Sequence, residues 1–181
     1  EVAQWAAALA GRSVVVVCAA GGSKAAGTAA WLRHAGADAE MLEGGLAGWR
    51  AAGLPVVNEE FLPPRDGEGR TRWVTRARPK VDRIACPWLI RRFVDPNAIF
   101  LFVAPADVAG VAERMGAAPF DVDGVFWSHR GEACSFDTMV DELGLAGFAA
   151  LERLAVIVRG ADTARPELAP QAAGLLAASL G

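Results

Sequence analysis

The chain has 181 residues, 53% of them apolar and 22% charged, and its 18 basic and 21 acidic side chains leave a net charge of −3. That balance excludes a disordered chain, and the longest unbroken apolar run, Val14 to Ala20, is far short of the ~20 residues needed to cross a bilayer. Three widely spaced cysteines do not make a disulfide framework, so a reducing cytoplasm is the expected compartment.

No basic-then-apolar leader opens the chain, and a start at Glu1 without Met suggests a piece of a longer gene product. A helix is expected over Val2–Ala10. The β-branched run Val14–Val17 reads as a fully buried parallel strand. A helix over Lys24–Ala35 closed by Gly36, a strand at Ala39–Leu42 and a helix over Leu46–Ala52 closed by Gly53 follow. Alternation of strand and helix predicts an α/β segment with a parallel sheet over residues 1–57. Asn58–Thr71, with Pro63-Pro64 and no periodicity, reads as a linker.

Residues 72–181 read as a mostly helical α+β domain. A strand is expected at Arg72–Thr75, and a helix over Pro87–Val94 with proline in its first turn. A strand at Ile99–Val103 and a helix over Asp107–Met115 closed by Gly116 come next. Ser135 opens another helix, and Phe148–Val158 and Pro170–Leu180 give two more. Trp73, Trp88, Trp127, Phe93, Phe100 and Phe102 are the expected core, since large apolar area stabilises by burial.

The charge is uneven. Between Arg65 and Arg92, nine of the eighteen basic residues meet three acids, a positive band suited to an anion. Arg76, Arg78, Lys80 and Arg83 are the candidates to attract an oxyanion; solvated charge with local ion pairs is the bland alternative. The acidic chain, without a helix-turn-helix, zinc-finger or RNP-like pattern, argues against nucleic acid.

Cys18 ends the valine run and is followed by Ala19-Ala20-Gly21-Gly22-Ser23-Lys24 ahead of a helix. A loop of small residues there can turn its N–H groups inward as an anion nest, and the helix N-terminus adds partial positive charge. Both favour thiolate, the nucleophilic form. The alternative is a buried, inert cysteine. The spacing C-x5-R of Cys-dependent phosphatases is also near, but Lys24 stands at the arginine position and cannot make the planar bidentate phosphate contact.

These residues resemble the second half of a rhodanese domain over about 55 residues. The C-x-x-G-x-S loop, Trp31-Leu32-Arg33 with Gly36, the Leu42-Glu43-Gly44-Gly45 turn and Trp49 with Ala52-Gly53-Leu54-Pro55 carry the likeness. The resemblance implies a persulfide relay at Cys18 cradled by Ala19 to Lys24, needing no cofactor, with thiosulfate or a similar donor and a thiol or cyanide acceptor. The first half of such a domain, with its opening strand and Asp-x-Arg segment, is absent. An incomplete rhodanese-like parallel sheet is therefore expected, completed by further chain or by a partner.

WVTRARPKVDRIACPWLIRRFVDPNAIFLFV, PFDVDGVFWSHRGEACSFDTMVDELGL and IVRGADTARPELAPQAAGLLAASLG resemble the C-terminal domain of the ChrB-type chromate resistance family. The likeness runs from about Thr71 to Gly181 and implies a link to chromate. Some members of that family are chromate-responsive regulators through a different N-terminal region, so DNA binding is not carried over. One polar block, Ser128 to Asp137, offers His129, Glu132 and Cys134, which Cys86 could join; imidazole, carboxylate and thiolate suit Zn or Fe. Cys134 or Ser135 as a helix cap is the plainer reading. Asp162-Thr163-Ala164-Arg165 reads as a helix terminator without function. Beside the sulfurtransferase reading stand two others: a non-catalytic sensor of an oxyanion or metal, and a metal-dependent enzyme centred on His129, Glu132 and Cys134.

Overall fold

The structure, a computed structural model, describes residues 2–181. The chain divides into two compact units, Glu1–Val56 and Val57–Gly181. Both are mixed α/β with small parallel sheets. Among the described residues no helix is long and apolar enough to cross a membrane.

In the first unit, α1 (Val2–Trp5) passes into a 3-10 turn over Ala6–Leu9, so the single helix expected there is split. Strand β1 (Ser13–Val16) pairs in parallel with β2 (Asp38–Met41), Ser13 opposite Asp38 and Val16 opposite Met41. Helix α2 (Ser23–His34) connects them and α3 (Gly45–Ala51) follows. Val14 and Val16 pack with Ala6, Leu32, Ala37 and Ala39 into a small core. Val15 and Val17, on the opposite face, are 60% and 55% exposed. The strand is thus not fully buried: side chains alternate across a sheet, and a two-stranded sheet takes its helical cover on one face.

In the second unit, three parallel strands are ordered β4-β3-β5. They are β3 (Arg72–Arg76), β4 (Ile99–Val103) and β5 (Ala118–Pro119), joined through α4 (Asp82–Phe93) and α5 (Val108–Met115). Then come α6 (Ser135–Glu142), α7 (Ala149–Asp162) and α8 (Ala172–Leu180). Trp73 on the central strand lies edge-to-face with Trp127 at 5.6 Å and Phe120 at 6.4 Å. Its Nε1–H donates to Thr71 Oγ1 at 2.9 Å, and the Thr71 hydroxyl donates to Asp95 Oδ2 at 2.8 Å. Of the expected core aromatics, Trp88 and Phe102 are instead exposed.

Three boundaries differ in ways that matter to the site. Helix α4 begins at Asp82, five residues before the proline expected to open it, and carries Pro87 inside. Proline there forgoes one i→i−4 bond, but burial of Cys86, Leu89 and Ile90 holds the helix together. Helix α7 continues past Val158 to Asp162, through a Gly160 buried against Ala172. Residues 58–71 form no helix or strand, yet they do not hang free as a linker would. Asn58 N–H donates to Leu143 O, Phe61 stacks on Phe126, and Asp66 accepts from Arg70 and Arg72.

Candidate functional site

Each unit holds a place where groups able to do chemistry converge. In the first, Cys18 sits just past β1, half-buried, and receives the Gly21 amide at 3.1 Å from N to Sγ. Amide bonds from Gly22 and Ala20 lower the thiol pKa, outweighing its burial, and the Gly21 amide and the Lys24 charge act in the same direction. Ser23 and Lys24 form the exposed first turn of α2.

The start of α3 makes this loop curl. Its Leu46 and Ala47 amides donate to the carbonyls of Cys18 and Ala19, both at 2.9 Å. With the carbonyls held outward, the following amides face the sulfur, as in an anion nest. The approach is too close for side chains. Gly21 (φ +69) and Gly45 (φ +56) both lie in the left-handed region. A Cβ on Gly21 would stand 2.7 Å from Gly44 N, and one on Gly45 would overlap Cys18 O.

Cys86 and Cys134 are buried, and burial pushes both thiols up, helped by the charge of Asp82. One thiol of three should therefore react in the folded protein. At neutral pH, iodoacetamide is expected to label Cys18, leaving Cys86 and Cys134 for the denatured chain, as peptide mass spectrometry would read. Because the nest lowers the Cys18 pKa, its labelling rate should reach half-maximum below the pH of an ordinary thiol. Lys24→Gln should move that midpoint upward.

In the second unit a cleft of about 510 Å³ opens at the carboxyl ends of β3 and β5, where parallel sheets place ligands. Arg76, Lys80, Arg83, Asp121, His129 and Asp162 are among its walls. His129 Nε2 lies 3.1 Å from Asp162 Oδ2, 3.4 Å from Asp121 Oδ1 and 3.5 Å from Asp82 Oδ2. Four segments supply these groups: the start of α4 (Asp82), the turn after β5 (Asp121), the loop ahead of α6 (His129) and the end of α7 (Asp162).

Each carboxylate is anchored from behind. Asp82 Oδ2 accepts the Ser135 amide at 2.5 Å, and Asp162 Oδ1 accepts the Asp82 amide at 3.3 Å. Asp121 Oδ1 accepts the Ser135 hydroxyl at 2.9 Å, while its Oδ2 stands 3.0 Å from Arg76 Nη2 and 3.1 Å from Arg83 Nε. Asp121 adopts φ 51, a left-handed conformation that aspartate tolerates better than most residues. Such strain concentrates at functional sites. The bond to Asp82 and the surrounding carboxylates raise the His129 pKa to about 9 despite its partial desolvation. Burial, then the charges of Asp82 and Asp121, push the Asp162 carboxyl up to about 6.

His129 is at the centre of the cluster. Cys134 is the N-cap residue of α6, its own amide donating to Asp137 Oδ2 at 2.9 Å. Cys86 shares a face of α4 with Asp82 but is enclosed in the core. Glu132 is exposed and pairs with Arg165 at 3.0 Å. The four expected metal ligands are therefore not gathered at one point. Arg76 and Arg83 line the cleft but are bound to Asp121, Lys80 lines it without an ion pair among the described residues, and Arg78 is not part of its wall. Asp121 and Asp162 were not among the sequence candidates. Their signal is an acid embedded in an apolar stretch, after Phe120 and at the end of the α7 run.

Residues 73–181 match the family described as ChrB, C-terminal domain. Protein ChrB of Cupriavidus metallidurans (strain ATCC 43123 / DSM 2839 / NBRC 102507 / CH34) is 38% identical over 109 residues, covering 56% of this chain and 31% of that protein. The chain thus spans less than a third of the curated relative it matches. No solved structure matches the chain. The cleft lies inside the matched residues and the Cys18 loop lies outside them.

Proposed function

The chain belongs, through residues 73–181, to the ChrB C-terminal domain family, and from that premise we propose that it serves chromate resistance as a protein carrying a sulfur-transferring thiolate at Cys18. The observation that carries the reading is the ring of Ala20, Gly21 and Gly22 amides around the Cys18 sulfur. Amides fixed in that way stabilise thiolate, and they stabilise the negative charge of a persulfide one atom further out.

The reaction is a two-step relay. Cys18 thiolate attacks the outer sulfur of thiosulfate; a new S–S bond forms, and sulfite leaves with the electron pair of the bond that breaks. An acceptor thiolate or cyanide then takes the outer sulfur, and the bonding pair returns to Cys18 as thiolate. No cofactor enters. Chromate and thiosulfate are both tetrahedral dianions, and chromate is reduced by thiols, which makes a sulfur-handling site chemically coherent with the family's link to chromate.

The test is direct trapping. Protein incubated with thiosulfate, alkylated and digested should yield a Cys18 peptide heavier by one sulfur atom. A Cys18 that alkylates readily but never gains that sulfur would overturn the reading.

A further inference from the structure

We propose that Asp82, His129 and Asp162, flanked by Asp121, form a binding site for one divalent transition cation that takes mixed oxygen and imidazole donors, of the Mn(II), Fe(II) or Zn(II) class. The inference stands apart from the Cys18 reading and uses none of its residues.

The geometry is that of donors directed at one point. One ligand atom from each of Asp82, His129 and Asp162 lies within 4.8 Å of the other two. The His129 Nε2 separations of 3.1–3.5 Å match donors held about 2.0–2.2 Å from a common ion, which stand roughly 3.0–3.5 Å apart. A single N–H can point at one oxygen, whereas three carboxylates converge on this nitrogen. A cation between them satisfies all three at once.

A second observation points the same way. Asp82 is fully buried, and its Oδ1, on the same carboxylate as the oxygen facing His129, has no hydrogen-bond partner among the described residues. A buried acceptor left unpaired carries a penalty that a bound cation removes. The anchors behind the ligands are those a metal site requires. The Ser135 amide and hydroxyl fix Asp82 and Asp121, the Asp82 amide fixes Asp162, and two guanidiniums hold the far oxygen of Asp121. His129 remains 40% exposed on the cleft side, which leaves that side of the ion open to water or an anion beside Lys80.

Donor chemistry selects the ion. Calcium and magnesium favour oxygen donors alone, and thiolate-seeking ions find no sulfur in this set; one imidazole with carboxylates suits Mn(II), Fe(II) or Zn(II). Mn(II) is the best probe, because it avoids the Cys18 thiol that zinc would also seek.

The full chain is stripped with chelator and titrated with Mn(II), followed by its paramagnetic resonance signal and by elemental analysis after gel filtration. One equivalent is expected to bind, and to raise the thermal midpoint. His129→Gln and Asp162→Asn should each remove binding, with circular dichroism confirming the fold. Ser135→Ala, which loosens Asp121, should weaken it about 10–100-fold. Glu132→Gln should bind as the unchanged protein does. No bound ion with Mn(II), Fe(II) and Zn(II) alike would overturn the proposal, leaving His129 as a protonated counter-ion. One equivalent that survives undiminished in folded His129→Gln and Asp162→Asn would overturn it equally.

Discussion

Cys18→Ser is expected to bring sulfur transfer from thiosulfate to cyanide down to the uncatalysed background, a fall of at least about a thousandfold. A hydroxyl in the same nest stays protonated at neutral pH and forms no S–S bond, so neither step of the relay can begin. The nest itself has a separate test. Gly45→Ala keeps the thiol but drives a Cβ into the carbonyl of Cys18, and its left-handed φ of +56 adds strain. That carbonyl must move, and with it the amides that face the sulfur. We expect Gly45→Ala to lose most of the transfer rate and to return the pH midpoint of Cys18 alkylation toward that of an ordinary thiol. Full activity in a folded Gly45→Ala protein would show that the amide ring is not what makes the thiol reactive.

The largest loss of stability is expected from Trp73→Ala, about 3–5 kcal/mol for the second unit. Trp73 is fully buried on the central strand, and the cavity left by its removal is lined by Phe120 and Trp127. The change also strips Thr71 Oγ1 of the indole donor. Trp73→Phe keeps most of the ring volume and loses only the N–H, so it should cost far less. Urea denaturation followed by far-ultraviolet circular dichroism measures both. A Trp73→Ala protein whose second unit unfolds at the unchanged urea concentration would contradict the packing of Trp73 against Phe120 and Trp127.

Local chemistry was readable along the chain. The valine run with Cys18 and two glycines gave strand, thiol and turn in their correct order, because each step depends on neighbours within a few residues. Strand β4 falls where its apolar run predicts, and α2, β2 and α3 start and stop within a residue or two of their expected ends. Pro87 misled, since proline marks a helix start by local rule and the burial that carries α4 through it is tertiary. The burial of the valine strand misled for a related reason: four β-branched residues state a preference for extended chain, not how many layers cover it.

What the sequence determined by itself is the order of the longer elements, the family of residues 73–181 and the place of Cys18 just past a strand in a glycine-bearing loop. What only the tertiary structure decided is which acids meet His129. Glu132 is three residues away in the chain and points to Arg165, while Asp82 and Asp162 come from opposite sides in sequence. Parallel strands put their carboxyl ends at one edge, and the starts of α4 and α6 and the end of α7 are packed there by the apolar core around Trp73. Burial brings those carboxylates together because apolar side chains far along the chain leave water together, and spacing along the sequence carries no record of that.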